Sequence, residues 1–177
     1  IRDRLQVGQQ LTVEIEKVAH GGHCIARHEG QVIFVRHAIP GERAVISITG
    51  VNSKIARADA ISILTPSPFR VAAACRFAAP GGCGGCDFQH IDLPHQRELK
   101  SQVIVEQFSR LAGMDVTCDV KGVAPADGFR WRSRMDFAVG AEGRIGLFAH
   151  HSNEVVEIDD CLIAKSDVDI PTLSKKR

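Results

Sequence analysis

Residues 13–42 read VEIEKVAHGGHCIARHEGQVIFVRHAIPGE, and their rhythm decides how the first third of the chain folds. Leu11, Val13 and Ile15 alternate with Thr12, Glu14 and Glu16, the period of two that turns successive side chains to opposite faces of a half-buried strand. Gly21-Gly22 ends that run. Residues 24–27 and 31–35 flank Glu29-Gly30, the composition of a tight hairpin, and Pro40-Gly41 turns the chain into a further strand over 44–48. A last strand is predicted from about residue 57 to residue 64. Five short strands without a convincing helix predict a small closed β-barrel over residues 1–64, carrying eight basic against six acidic residues.

Outward from that barrel, Thr65-Pro66-Ser67-Pro68 punctuates the chain and sets the boundary of a second region, 65–177. A glycine- and cysteine-rich loop comes first. A helix follows, with Asp92 as N-cap, Pro94 in its first turn, Leu99, Val103, Phe108 and Leu111 along one side, and Gly113 as its stop. Strands are predicted over 116–123, 131–139, 145–148 and 154–158, with turns at Glu142-Gly143 and Ser152-Asn153. The fold class is therefore an all-β, OB-like barrel followed by an α+β segment with a cysteine loop.

The 177 residues carry 22 basic against 21 acidic side chains, so no global field advertises nucleic acid or a membrane. Hydrophobic residues at 44% and charged residues at 24% mark a folding sequence and exclude a wholly disordered one. With no apolar run long enough to span a bilayer, a cytoplasmic, non-membrane protein is expected. Ile1 in place of Met reads as a cut start.

Six cysteines stand at 24, 75, 83, 86, 118 and 161, three of them crowded between 75 and 86. A disulfide framework would be more evenly spaced, so metal binding is the better reading. Cys83-Gly84-Gly85-Cys86 brings two thiolates to one point, and the glycines are expected to adopt dihedrals that other residues resist. Cys75 and Cys161 complete a four-thiolate set. Such a set suits an iron-sulfur cluster or a structural zinc, and three local ligands with one remote ligand favour the cluster. Cys24 and Cys118 lie in strand-like stretches and read as small core residues.

In their order, the stretch 13–42, CGGCDFQH (83–90), FRWRSRMDFAVG (129–140) and IGLFAHHSNEVVEIDDCLI (145–163) resemble the bacterial RNA uracil-5-methyltransferases, in which a TRAM barrel precedes a 4Fe-4S cluster held by four cysteines. The resemblance implies that Cys161 is the fourth ligand and raises the cluster above zinc. It departs from the family where seven residues rather than the commoner five separate Cys75 from Cys83, where Trp131 replaces Tyr, and where Ser133 replaces Asn. The family's S-adenosylmethionine domain, with its nucleophilic Cys, lies beyond this chain, so no catalytic or S-adenosylmethionine-binding residue is expected within it. The resemblance further implies that the whole enzyme is a monomer acting on rRNA or tRNA.

As a strand, 131–139 with Arg130 before it would set Arg130, Arg132 and Arg134 on one face, spaced for successive phosphates, and Trp131, Ser133, Met135 and Phe137 on the other, in the core. The plainer alternative is a solvated sheet face relieved by Asp136. Within the TRAM-like segment, Lys17, Arg27 and Arg36 are further candidates for RNA contact. Gln89-His90 either supports the cysteine loop or approaches RNA, and His150-His151 reads as a solvent-facing turn. Two other functions fit the same residues: a stand-alone RNA-binding module without catalysis, and a redox iron-sulfur protein. A reading frame continuing past Arg177 into a Gly-rich cofactor loop would separate the enzyme from the binding module.

Overall fold

A computed structural model describes residues 5–52 and 54–175, with side chains described as far as residue 173. The chain divides into two compact units that interleave in sequence. One runs to Ala72 and resumes over His90–Val120; the other comprises Ala73–Gln89 and the residues from Lys121 onward.

In the first unit, β1 (Gln10–Glu14), β2 (Lys17–Ala19), β3 (His23–His28), β4 (Gln31–Arg36), β5 (Arg43–Val51) and β6 (Ala56–Thr65) form one sheet in the order β1-β5-β6-β4-β3-β2. The two edge strands β1 and β2 are consecutive in the chain, separated by Ile15 and Glu16, so the sheet must roll until its edges come together. β1 pairs with β5 and β2 with β3, and between them the Glu16 amide donates to the Ile25 carbonyl at 2.8 Å, so one bent run of chain serves both edges of the rolled, OB-like barrel. Register shifts between β5 and β6, at Val45/Ile46 and Ile48/Gly50 among others, supply the local twist that rolling requires.

The alternation read from the sequence fills the barrel: Val13, Ala26, Ile33, Val35, Ala44, Ile46 and Ile48 are all buried. Small residues on β6 face large ones on β5, with Ala60 opposite Ile46 and Ala58 opposite Ile48. At the β3–β4 turn, Glu29 and Gly30 take φ of 49° and 80°, the left-handed pair that a two-residue hairpin requires.

The predicted helix is α1 (Leu93–Ala112), whose N-cap Asp92 accepts a hydrogen bond from the His95 amide at 2.8 Å and whose C-cap Gly113 has φ of 63°. Its expected apolar side is only partly used. Leu99 is buried, but Phe108 and Leu111 are exposed.

In the second unit, β7 (Ala138–Val139), β8 (Ile145–Phe148) and β9 (Val155–Glu157) make an antiparallel meander, and α2 (Ile170–Lys175) follows. The 145–148 and 154–158 strands expected from sequence are there. The strand expected at 116–123 is absent, and that at 131–139 is reduced to its last two residues. Arg130, just before Trp131, has φ of 55°, and of residues 131–137 only Arg132 bridges to another segment, at Ala164. Trp131 accordingly stands 51% exposed rather than in the core, whereas Met135 and Phe137 pack against the cluster of Ile145, Ile158, Ile163 and Ile170. Cys118 is half-buried outside any strand.

Candidate functional site

Four cysteines from three stretches of the second unit line one cavity of about 360 Å³. Cys75 precedes the glycine loop, Cys83 and Cys86 flank its Gly84-Gly85, and Cys161 arrives from beyond β9. None of these four, nor Cys24 or Cys118, is in a disulfide. Burial pushes the Cys86 thiol up to about 11; a hydrogen bond with Gln89 acts against that, and the proximity of Cys83, Cys161 and Cys75 adds to it. Gln89 also accepts a hydrogen bond from the Cys75 amide at 3.0 Å, so one side chain ties both ends of the loop.

The glycines serve by absence of bulk more than by unusual dihedrals. Of Gly81, Gly82, Gly84 and Gly85, only Gly81 has positive φ, at 78°. A Cβ on Gly84 would stand 2.9 Å from the Cα of His150, and one on Gly82 would stand 2.1 Å from the Phe77 carbonyl oxygen. The loop is thus pressed against the β8–β9 turn: the Gly84 amide donates to the Phe148 carbonyl at 2.9 Å, and Cys83 bridges to Ala149. That contact places His150 and His151 in the cavity lining, their rings edge to face at 4.2 Å. His151 is exposed, as a solvent-facing turn predicts.

An all-thiol donor set is the chemistry that holds zinc or an iron-sulfur cluster. Among the described residues, no three His, Cys, Asp or Glu side chains converge as closely as the ligands of one ion do. A single zinc gathers its thiolates at about 2.3 Å from one centre. A cubane cluster gives each thiolate its own iron and so spreads the four sulfurs round a larger body.

The arginine row is divided. Arg130 donates to both oxygens of Asp160, Nη1 to Oδ1 at 2.9 Å and Nη2 to Oδ2 at 2.7 Å, and Nη1 also reaches the Cys161 carbonyl at 3.1 Å. That guanidinium holds the Asp160 carboxyl below the usual carboxylate range, against the smaller opposing effect of burial. Arg132 and Arg134 are exposed, and the Arg132 Nε donates to the Arg134 carbonyl at 3.2 Å. With Arg130 engaged by Asp160, the exposed guanidiniums of the expected row are those of Arg132 and Arg134.

In the barrel unit, Lys17 pairs with Glu106 at 2.5 Å and Arg27 with Glu16. Arg36 is 5% exposed, which corrects its expected place on an RNA-facing surface. His90, next to Gln89 in sequence, is buried in the barrel unit with its Nε2 3.2 Å from the Ala38 carbonyl oxygen. Cys24 is buried too, its Sγ donating to that same carbonyl at 3.3 Å, and burial pushes its thiol up to about 12. It is the small core residue its strand position predicts.

Residues 4–61 match the TRAM domain. Over 177 aligned residues the chain is 49% identical to an RNA methyltransferase of Streptomyces coelicolor, covering 92% of this chain and 38% of that protein. The chain carries a TRAM domain and, over most of its length, is similar to proteins named RNA methyltransferases. It is 36% identical over 151 residues to the 23S rRNA (uracil(1939)-C(5))-methyltransferase RlmD of Halomonas elongata, covering 83% of this chain and 31% of that one. Among solved structures, the Pyrococcus abyssi tRNA (uracil-54, C5)-methyltransferase in complex with S-adenosyl-L-homocysteine shares the fold, with a TM-score of 0.52 and 22% identity over 87% of this chain and 33% of that chain. The chain spans about two-fifths or less of the length of these relatives.

The spacing of residues exposed the cysteines but not Asp160. Its signal was local: an Asp immediately before the remote cysteine, able to accept from that cysteine's own amide, as it does at 2.8 Å.

Proposed function

We propose that this chain is the RNA-holding and cluster-bearing portion of an S-adenosylmethionine-dependent RNA (uracil-5-)-methyltransferase acting on rRNA or tRNA. Its barrel, residues 1–64, binds RNA, and residues 65–177 hold a 4Fe-4S cluster through Cys75, Cys83, Cys86 and Cys161. The observation that carries this reading is the gathering of four thiols, spread from residue 75 to residue 161, round one cavity. The relatives named as uracil-C5 methyltransferases of rRNA and tRNA support the reaction class.

In this reading the cluster, when bound, ties the glycine loop, the β8–β9 turn and the segment after β9 into one body. The chain's own residues do the rest: Gln89 closes the loop, and Arg132 and Arg134 offer exposed guanidiniums to phosphate. Lys17 and Arg27 would meet phosphate only by exchanging their carboxylate partners for it. The binding site for S-adenosylmethionine and the nucleophile are supplied by sequence outside residues 1–177, and the protein works as a cytoplasmic monomer. Purification without oxygen tests the assignment. A brown protein with about four irons per chain is expected, and stoichiometric zinc without iron would refute it.

A further inference from the structure

Cys161 is the ligand with no sequence neighbour in the set, since 74 residues separate it from Cys86. Something other than a shared loop must fix its position. Both of its peptide groups are in fact held from outside the backbone ladder. Its amide donates to Asp160 Oδ1 at 2.8 Å, and its carbonyl accepts from Arg130 Nη1 at 3.1 Å as well as from the Ala164 amide at 3.0 Å. The same Asp160 oxygen accepts from Arg130 Nη1 at 2.9 Å, so carboxylate, guanidinium and both peptide groups close one ring. The Arg130 amide donates to the Leu162 carbonyl at 2.9 Å, gripping the residue after Cys161.

Arg130 holds this position in a left-handed conformation, φ 55°, which a side chain with a Cβ adopts only when its surroundings demand it. Its side chain is 35% exposed and that of Asp160 47%. An ion pair so open to solvent contributes little to folding. A bidentate clamp that adds little to stability yet fixes both peptide groups of one residue is suited to set that residue's position.

We propose that Arg130 is a positioning residue for the fourth thiolate: with Asp160 it fixes where Cys161 Sγ stands in the cavity, and so keeps the cluster bound. This rests on the reading that the four cysteines hold a cluster, and it reassigns Arg130 from RNA contact to the metal centre. Groups that orient metal ligands typically change metal affinity by about 10–100-fold when removed.

The test compares R130Q, R130K and D160N with the unaltered chain, each reconstituted with iron and sulfide under nitrogen. The readouts are the half-life of the visible absorption under an iron chelator, the alkylation rate of Cys161 by iodoacetamide in the iron-free protein, thermal unfolding, and the salt dependence of RNA binding. R130Q should unfold near the original temperature, lose its cluster roughly tenfold faster and expose Cys161 to alkylation. R130K should recover part of the loss, because an ammonium cannot make both prongs. Should R130Q fail to fold, R130K against D160N carries the comparison. A cluster retained in R130Q with unchanged half-life, or a lowered RNA salt slope with the cluster intact, overturns the inference. If the unaltered chain takes up no cluster, the underlying reading fails and this one with it.

Discussion

Glu42 and Arg70 face each other across 28 positions of sequence in a two-pronged ion pair, Nε to Oε1 at 2.6 Å and Nη2 to Oε2 at 2.7 Å. The Glu42 side chain is wholly buried, and its oxygens also accept from the Ile39 and Ser67 amides at 2.8 and 3.0 Å. Arg70 Nη2 in turn donates to the His37 carbonyl at 2.9 Å. The barrel's Pro40-Gly41-Glu42 corner is thus fastened to the segment after β6. Removing the guanidinium should leave a buried charge unpartnered, and R70A is expected to cost about 3–5 kcal/mol in urea unfolding.

That pair also sets an acid limit. Burial pushes the Glu42 carboxyl up, but hydrogen bonds from Arg70, Ser67 and Ile39 outweigh it and hold the carboxyl below its ordinary value of 4.5. A lowered folded-state value means that the stabilisation is complete above about 4.5 and drains away as pH falls through the lower, folded-state value. The midpoint of urea unfolding should therefore fall on acidification below pH 4.5, and E42Q should flatten that fall. An unchanged acid limb in E42Q would assign it to other carboxylates.

Neighbouring glycines should respond in opposite ways. A Cβ at Gly84 would meet His150 backbone at 2.9 and 3.0 Å, whereas one at Gly85 meets Cys83 Sγ at an ordinary 3.7 Å. G84A is expected to lower stability by about 1–3 kcal/mol and to impair iron uptake. G85A should stay within about 0.5 kcal/mol of the unaltered chain in thermal unfolding.

Each of C75A, C83A, C86A and C161A should abolish iron binding in an anaerobic preparation, while C24A and C118A keep it. Cys24 is spent on the barrel core, with its thiol bonded to the Ala38 carbonyl. Iron analysis of the six variants decides the ligand set without any assay of methylation.

For RNA, R132A and R134A should each weaken binding and lower the slope of log affinity against log salt by roughly one ion. R36A should act through stability, since that side chain is buried. W131A should leave the melting temperature close to the original, because half of the indole is already in water. Salt titrations of RNA binding, paired with thermal melts, separate the three cases.

How much of the fold and site is legible in the sequence follows the physics of each signal. Alternation in Leu11–Ile15 and the turn chemistry at Glu29-Gly30 are local and strong, and the barrel strands lie where they point. Asp92, Pro94 and Gly113 likewise bracket α1, because capping is decided within a few residues. The alternation through Trp131 and Met135 misled. A period of two marks a strand only where a neighbouring strand pairs with it, and nothing in the sequence betrays that residues 131–137 meet no more than the bridge from Arg132 to Ala164. Glycine in the cysteine loop is legible as a requirement, but its reason is not. The need at Gly84 is for space beside His150, a partner 66 residues away that no local pattern reveals.

The wide separation of Cys161 from the other three cysteines has a consequence for biosynthesis. At translation speeds of roughly 5–20 residues per second, the ribosome takes roughly 4–15 seconds after Cys86 to deliver Cys161, and it adds the whole of α1 and the Arg130 segment in between. The barrel, complete by Thr65, has every strand it needs well before then. If the four cysteines hold a cluster as proposed, iron would enter a chain whose first unit can already be folded. Cells starved of iron should accumulate soluble protein with an intact barrel and an unmade metal centre.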